Sequence, residues 1–534
     1  MVYNWYENPR FGRRNIYTAE REITSENIIQ VLQDTFLLHQ ENVLMSQYLL
    51  DYDSGIQPIL QRSKAVRPKI CNKVIDNIAS EITEFKLGFN WPTGISFVRR
   101  GEKDSGNGNE LDGLTLLNEC YEAENIKSKR QQMARYTEIT GWGYMFVDPN
   151  TDWHEGDSYF HISPLDPRFT YMVYSSYYID RRAMLGVTYS LDTKTGNVFY
   201  TAFTPRRRYE VMNLSTIVKG MNAELGWSHG DRSDELNPLG YIPIVRCMRS
   251  HDGTGCFEKQ LSAMDDLNLL ESNYTDGVEQ AIQAIYQAND IAFPLDEDGK
   301  VIVPKDNDWI VTETTADGKQ PFIKAIEGNV DYSGMLSNIE YRRNLILQKC
   351  NVPERNKNQG GSTGVAMDSA TGWAEAENAA NKQQALQEMY MMDEVKVVLA
   401  AIKLCKKLPA DSPLRKLRYS DVQPNIQRQK TYELTTKVNG LATLMSHGIA
   451  PEHAIKTVNL FGDPNQVYTD SQPYIKRYLS SIYDKQKQTA GQSTQTSWVQ
   501  RRDGSFSSNE QKVNSSRTMQ DQSDQEGNSP HIGK

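Results

Sequence analysis

Apolar residues recur every three or four positions along 257–282, at Leu261, Met264, Leu267, Leu270, Tyr274, Val278 and Ile282, and predict a helix with one buried face. The pattern then changes. Over 291–326 the short runs IAFPL, VIVP, WIVTE and FIKAI alternate with Gly, Pro and Asp, which reads as a small β unit. Helical spacing returns over 332–350, breaks at Asn351-Val352-Pro353, and resumes near Trp373 for about thirty-five residues. Between these helices lies RNKNQGGSTGVAMDSATG, too polar and glycine-rich to pack, and compact domains rarely keep such a loop without a use.

Upstream, Ile28, Ile29, Val31, Leu32, Phe36 and Leu37 predict a helix that begins at Ser25, with Ser25 as its cap. A second helix is expected over 40–51. A third is expected over 68–85, with Ile70, Val74, Ile75, Ile78 and Ile82 turned inward. Residues 111–135 also read as helical. YMFVDP, FHISPLD, FTYMVY, MLGVTYSL and NVFYTAFT read as strands, with TKTG as a hairpin turn. Toward the C-terminus, 411–425 is a connector, while 427–446 and 451–460 read as helices. Pro451 suits a first turn and Glu452 the positive end of the helix dipole. Beyond 485 few apolar residues remain, so 485–534 is expected to be disordered. Residues 1–24 carry aromatics and Arg10, Arg13 and Arg14, and read either as an arm docking on a neighbour or as a frayed terminus.

Composition narrows the class. A chain of 534 residues has room for roughly two to four domains. No run of eighteen apolar residues exists, so no membrane span is expected, and the N-terminus has no secretory h-region. The six cysteines form no C-x-x-C pair, which favours free thiols in a reducing compartment. A net charge of -9 argues against gripping nucleic acid over a broad surface.

Catalytic signatures are absent from the sequence: there is no H-E-x-x-H, no G-x-S-x-G and no Walker A. GGSTGVAMD has glycines but not G-K-[ST], so it should not cradle a nucleotide. Cys247, His251 and Cys256 offer only three ligands at non-standard spacing, and no metal or other cofactor is expected. DYDSG resembles the start of a calcium loop, but its twelfth position is Arg62 where a glutamate is needed. His154, His161 and His229 read as structural. No enzyme is expected.

One feature carries a functional choice. Glu258, Asp265, Asp266, Glu271, Asp276 and Glu279 face a single Lys259 along the 257–282 helix. They read either as a solvated face or as a channel wall whose charge repels a polyanion and lets DNA slide. The helix alone does not decide.

A family resemblance enters on several runs taken together. Tyr52, Gly55, Ile59 and Arg62, then Asn72-Lys73-Val74-Ile75-Asp76-Asn77 and Phe85-Lys86-Leu87-Gly88-Phe89, resemble the N-terminal pattern of tailed-bacteriophage portal proteins, of the type found in long-tailed phages of Gram-positive hosts. Gly141-Trp142-Gly143-Tyr144 with His161-Ile162-Ser163-Pro164 resembles that family's wing. Asn237-Pro238-Leu239-Gly240-Tyr241-Ile242-Pro243-Ile244, followed by Gly255-Cys256-Phe257-Glu258, resembles its passage from wing to stem. LSAMDDLNLLESNYTD resembles its stem helix, with Met264 where isoleucine is more usual. Gly448-Ile449-Ala450-Pro451-Glu452 through Leu460-Phe461-Gly462-Asp463-Pro464 resembles its crown.

The resemblance implies an α+β portal fold in a ring of about twelve copies. Its parts would be an arm (1–24), a mixed α/β wing (25–254), a stem helix (255–289), a clip (290–330), a second stem helix (331–352), a tunnel loop (353–372), a long wing helix (373–410), a helical crown (411–484) and a tail (485–534). The implied function is the portal at one capsid vertex, through which double-stranded DNA is packaged and ejected. The implied partners are the terminase large subunit, a head-completion or tail adaptor protein, and the major capsid and scaffolding proteins. Location would be the virion, with assembly in the host cytoplasm and no membrane. Arg355, Lys357, Asn358, Gln359, Gly360, Gly361 and Ser362 would face DNA in the tunnel loop. Asp265, Asp266, Glu271, Asp276 and Glu279 would line the acidic channel helix. Arg342, Arg343 and Lys349 would form basic tunnel rings or pair with a neighbour's acidic helix, pairing being the preferred reading. Another structural head–tail adaptor or head-completion protein is the alternative.

Overall fold

The computed structural model describes residues 11–92, 95–100, 113–214, 234–282, 285–289, 297–298, 322–326, 331–353, 372–426, 428, 433–458, 460, 467–477, 480, 498–500 and 506–508. It divides into two compact units, Met1–Val438 and Asn439–Lys534.

In the first unit, strand β1 (Ile16–Thr18) precedes α1 (Ile28–Asp53), one unbroken helix where two were expected. No Gly or Pro interrupts it. His39, at the expected break, is buried and stacks on Tyr171 with ring centroids 4.4 Å apart. Ser25 does not cap the helix: its hydroxyl bonds Asp234, and Asn27 occupies the N-cap position.

Helix α2 (Ile78–Asn90) starts ten residues later than the apolar spacing suggested. Residues 71–77 are non-helical instead, with Val74 and Ile75 only partly buried. The stretch expected as one helix over 111–135 is two, α3 (Gly113–Ala123) and α4 (Ile126–Thr140). They part at Asn125, which takes a left-handed φ of 54°. Just before it, the Glu124 carboxylate accepts the Ile162 N–H at 3.0 Å.

Strands β2 (Ser96–Arg99), β3 (Trp142–Pro149), β4 (Phe160–Leu165), β5 (Thr170–Ser175), β6 (Ala183–Leu191), β7 (Val198–Phe203), β8 (Arg207–Met212), β9 (Asp234–Leu236) and β10 (Ile244–Met248) follow. They build a six-stranded sheet ordered β1-β5-β6-β7-β8-β9 and a three-stranded sheet ordered β10-β3-β4. β1 joins β5 in parallel, and the other neighbours in both sheets are antiparallel. α1 packs on the larger sheet through Ile28, Val31, Leu32 and Phe36 against Tyr171, Val187 and Tyr200.

Helix α5 (Leu261–Ile282) and helix α6 (Tyr332–Lys349) lie side by side, running in opposite directions. The Tyr332 hydroxyl donates to the Gly277 carbonyl at 3.0 Å, and Arg342 reaches Asp266 near the other end. Between them, β11 (Ile285–Asn289) and β12 (Phe322–Ile326) pair antiparallel and draw the two ends of the segment expected as the clip together. The interior of that segment lies outside the described residues apart from a turn at 297–298.

Helix α7 (Trp373–Leu404) is 32 residues long; it starts where expected and ends short of the expected 410. Tyr390, Met391, Val395, Val398 and Ile402 sit in the largest core with Met133, Met145 and Cys247. A charge is buried there too: Arg130 pairs with Glu394 at 2.8 Å, and the Tyr390 hydroxyl donates to the same carboxylate. Strand β13 (Val422–Asn425) then pairs with β2, and the helix expected over 427–446 is described as Glu433–Ser446.

In the second unit the expected helix is present as Pro451–Val458. Within the segment expected to be disordered, Trp498–Gln500 and Phe506–Ser508 pair as a hairpin. Three of its few apolar residues, Trp498, Val499 and Phe506, fall in those strands and suit a β backbone.

Candidate functional site

Helix α5 is buried on two faces of different chemistry. Leu261, Met264 and Leu267 form the expected apolar face, packed with Ile339, Ile346 and Leu347 of α6. The second face is polar. Asn268, Ser272 and Asp276 are 0%, 0% and 2% exposed, four residues apart and therefore stacked along one side of the helix.

That polar face holds residues 72–76 as a strap. The Asp76 N–H donates to Asn268 Oδ1 at 3.0 Å, the Val74 N–H to Ser272 Oγ at 3.0 Å, and the Asn72 N–H to Asp276 Oδ1 at 2.7 Å. The spacings match. Four helical residues advance about 6 Å, and two extended residues advance about 6.6 Å, so alternate N–H groups meet successive side chains. These bonds satisfy backbone donors that would otherwise form the predicted helix. The strap's far end is fixed by Gln57, which accepts from Asn268 at 2.5 Å and donates to Asn77 at 3.1 Å.

The expected acidic wall is altered by this arrangement. Asp276 is enclosed by Asn72, Arg62 and Lys64, with both cations 2.9 Å from its carboxylate, so it is not a surface charge. Burial works to raise its pKa, but the bonds from Asn72, Lys64 and Arg62 outweigh it and leave it below the ordinary value. Asp265 accepts the Tyr52 hydroxyl at 2.9 Å, and Glu279 accepts the Asn72 amide at 2.8 Å. Glu271 is half-buried; burial, then the nearby Asp76, raises its pKa against the pull of Arg343. Of the five, Asp266 alone is well exposed.

The cations were expected on tunnel rings or on a neighbour's acidic helix. Within the chain, Arg342 pairs with Asp266, and Arg343 with Asp76 at 2.9 Å and with Glu81. The antiparallel course of α5 and α6 brings 342 beside 266. Lys349 is exposed at the C-terminal end of α6. The expected tunnel-loop residues Arg355, Lys357, Asn358, Gln359, Gly360, Gly361 and Ser362 lie outside the described residues.

Near the N-terminal end of α5, the glycine motifs meet. Gly141 has φ +84°, and a Cβ there would collide with the Gly253 carbonyl, while one on Gly255 would strike the Ile139 carbonyl. The close approach lets the Cys256 N–H reach the Glu138 carbonyl at 2.7 Å. The buried Glu138 carboxylate collects Trp91 Nε1 at 2.9 Å, Arg249 Nε at 3.1 Å and the Gln383 amide. Glu258 takes the N–H groups of Gly12 at 2.9 Å and Gly255 at 2.7 Å, and pairs with buried Arg13. Residues 12–13, in the stretch expected to be either an arm docking on a neighbour or a frayed terminus, bond Glu258 of their own chain.

This joint is built for rigidity. Burial pushes the Cys256 thiol up to about 12 and raises Cys247 further, so neither is a thiolate at neutral pH. His251 is exposed, and among the described residues no three His, Cys, Asp or Glu side chains converge as a metal site. No helix among the described residues is long and apolar enough to cross a membrane. The strap ladder escaped sequence reasoning, although its signal was there: Asn268, Ser272 and Asp276 stand at i, i+4 and i+8, on one side of the helix.

A family model described as "Phage portal protein, SPP1 Gp6-like" matches residues 34–488, most of the chain. Among curated proteins, none matches the chain.

Proposed function

The chain belongs to the phage portal protein family, and on that premise we propose that it closes into a ring of about twelve copies at one capsid vertex. Members of this family are structural components of the virion that act in DNA packaging. In the proposed ring, α5 and α6 stand around the channel, and double-stranded DNA moves through it inward during packaging and outward on ejection. The part played by the chain is passive: a separate terminase hydrolyses ATP while docked on the clip at 290–330. A head-completion or tail adaptor protein later takes the same position, and scaffolding and major capsid proteins surround the wing during assembly in the host cytoplasm.

The tunnel loop is proposed within 354–371. Arg355 and Lys357 would touch phosphates, and Asn358, Gln359 and Ser362 would offer hydrogen bonds without reading bases. Gly360 and Gly361 would supply backbone freedom.

The observation that supports this reading best is the length of the family match: it runs in one piece from α1 through the α5–α6 pair and α7 to the C-terminal helices. The experiment is packaging in a purified system of procapsids, terminase and DNA. Procapsids built with Arg355→Ala and Lys357→Ala together are expected to contain normal rings and to package more slowly. Normal packaging by procapsids lacking this chain would end the portal reading, whereas an unchanged rate in the double variant would end only the loop assignment.

A further inference from the structure

The described residues that flank 354–371 lie together as one neck, and helix α2 lies against both of its sides. On the entry side, α6 closes with Asn351 at φ +53°. Its N–H meets the Gln348 carbonyl at 2.9 Å, and the Val352 N–H meets the Leu347 carbonyl at 2.9 Å, the two bonds of a Schellman closure. Pro353 follows and cannot continue the helix. On the exit side, Gly372 at φ +84° leads into Trp373, the first residue of α7. A Cβ on Gly372 would stand 3.8 Å from the Pro353 Cα, so the two sides lie close together.

Three residues of one turn of α2 hold this neck. The Lys86 ammonium donates to the Asn351 carbonyl at 3.0 Å. Phe85 and Phe89, stacked at 5.6 Å, pack on the Trp373 ring at 6.0 Å and 5.7 Å. Beyond them, the Asn90 amide donates to Gln383 at 2.8 Å and its carbonyl accepts from Gln387 at 3.0 Å, so α2 also grips α7 further along its length.

Lys86 is 2% exposed, and burial lowers its pKa. Packing alone does not call for lysine there, because methionine would fill similar space without burying a charge. What lysine adds is a charged donor, stronger than a neutral one, directed at the last turn before the segment begins.

We propose that Phe85, Lys86 and Phe89 form a clamp that fixes where the 354–371 segment leaves the wing, making them positioning residues for DNA passage. The proposal rests on the reading of that segment as the tunnel loop. The clamp explains why the Phe85-Lys86-Leu87-Gly88-Phe89 run sets a buried cation beside two stacked aromatic rings.

The test is limited trypsin digestion of the purified full chain, with cut sites read by mass spectrometry. Arg355 and Lys357 follow Pro353 closely in sequence, and Lys219 and Arg232, far from them in sequence, serve as internal controls. Lys86→Met and, independently, Phe89→Leu are expected to speed cleavage after Arg355 and Lys357 about tenfold, with the control sites unchanged. Equal acceleration at all four sites, or none at Arg355 and Lys357 in both variants, would overturn the clamp. Packaging by the same variants separates the two claims. Faster local cleavage with a changed packaging rate supports both, whereas faster local cleavage with normal packaging keeps the clamp and removes its role in DNA passage.

Discussion

The Asp276 carboxylate is the most heavily used side chain on α5. Buried itself, it takes the N–H and the side-chain amide of Asn72 and lies against the partly buried Arg62 and Lys64. Removing one member of such a buried set strands the others, so Asp276→Ala is expected to cost about 3 kcal/mol. A lower urea midpoint with an unchanged slope would record that loss. Its pH dependence has a definite sign. Because the folded-state pKa is depressed, the stabilisation is present above the ordinary aspartate value and is lost as pH falls through the folded one. Wild type should therefore lose its advantage over Asp276→Ala as acid titration passes below the ordinary aspartate range, while at neutral pH the gap stays constant. A gap that widens in acid would contradict the assignment.

At the scale of elements, the strap on α5 predicts an alternation that ordinary loops do not show. The amides of Asn72, Val74 and Asp76 should exchange slowly with deuterium, whereas Lys73 and Ile75, which have no bond in the ladder, should exchange fast. Uniformly fast exchange over 72–76, read at single-residue resolution, would dissolve the ladder. This element also marks where the sequence misleads. Ile70, Val74, Ile75, Ile78 and Ile82 have helical spacing, yet the first three lie outside α2, because Asn268, Ser272 and Asp276, some two hundred residues away, claim the backbone donors. No local pattern carries that information. By contrast, the end of α6 and the start of α7 were legible to within a residue or two, since Asn351-Val352-Pro353 and Gly372 are local stop and start signals, whereas α7 ends at Leu404, short of the expected 410. β8 was hidden by Arg207 and Arg208 at its start, although Tyr209 and Val211 alternate inward as a strand requires. The acidic helix was legible as a list of charges, but not as a surface, because burial and pairing had already consumed Asp276 and engaged Asp265 and Glu279.

For the whole molecule, the consequence is an α5–α6 pair with less free charge than its composition suggests. Asp266 is the acid that remains well exposed, and it is held beside Arg342 of the same chain. Asp266→Ala should leave the fold intact, since an exposed pair contributes about 0–1 kcal/mol. It should also free Arg342, adding a cation per copy to the proposed channel and slowing packaging most at low salt, where phosphate contacts are strongest. A packaging rate that is unchanged at every ionic strength would place this pair away from the DNA.

The central claim is that copies of this chain surround a DNA-sized channel lined by α5 and α6. Single-particle imaging of the full chain, purified with its capsid and scaffolding partners, tests it most directly. The account predicts closed rings with a central opening and both helices at its wall. Discrete particles without an opening, or rings whose α5–α6 pair lies on the outer rim, would contradict it.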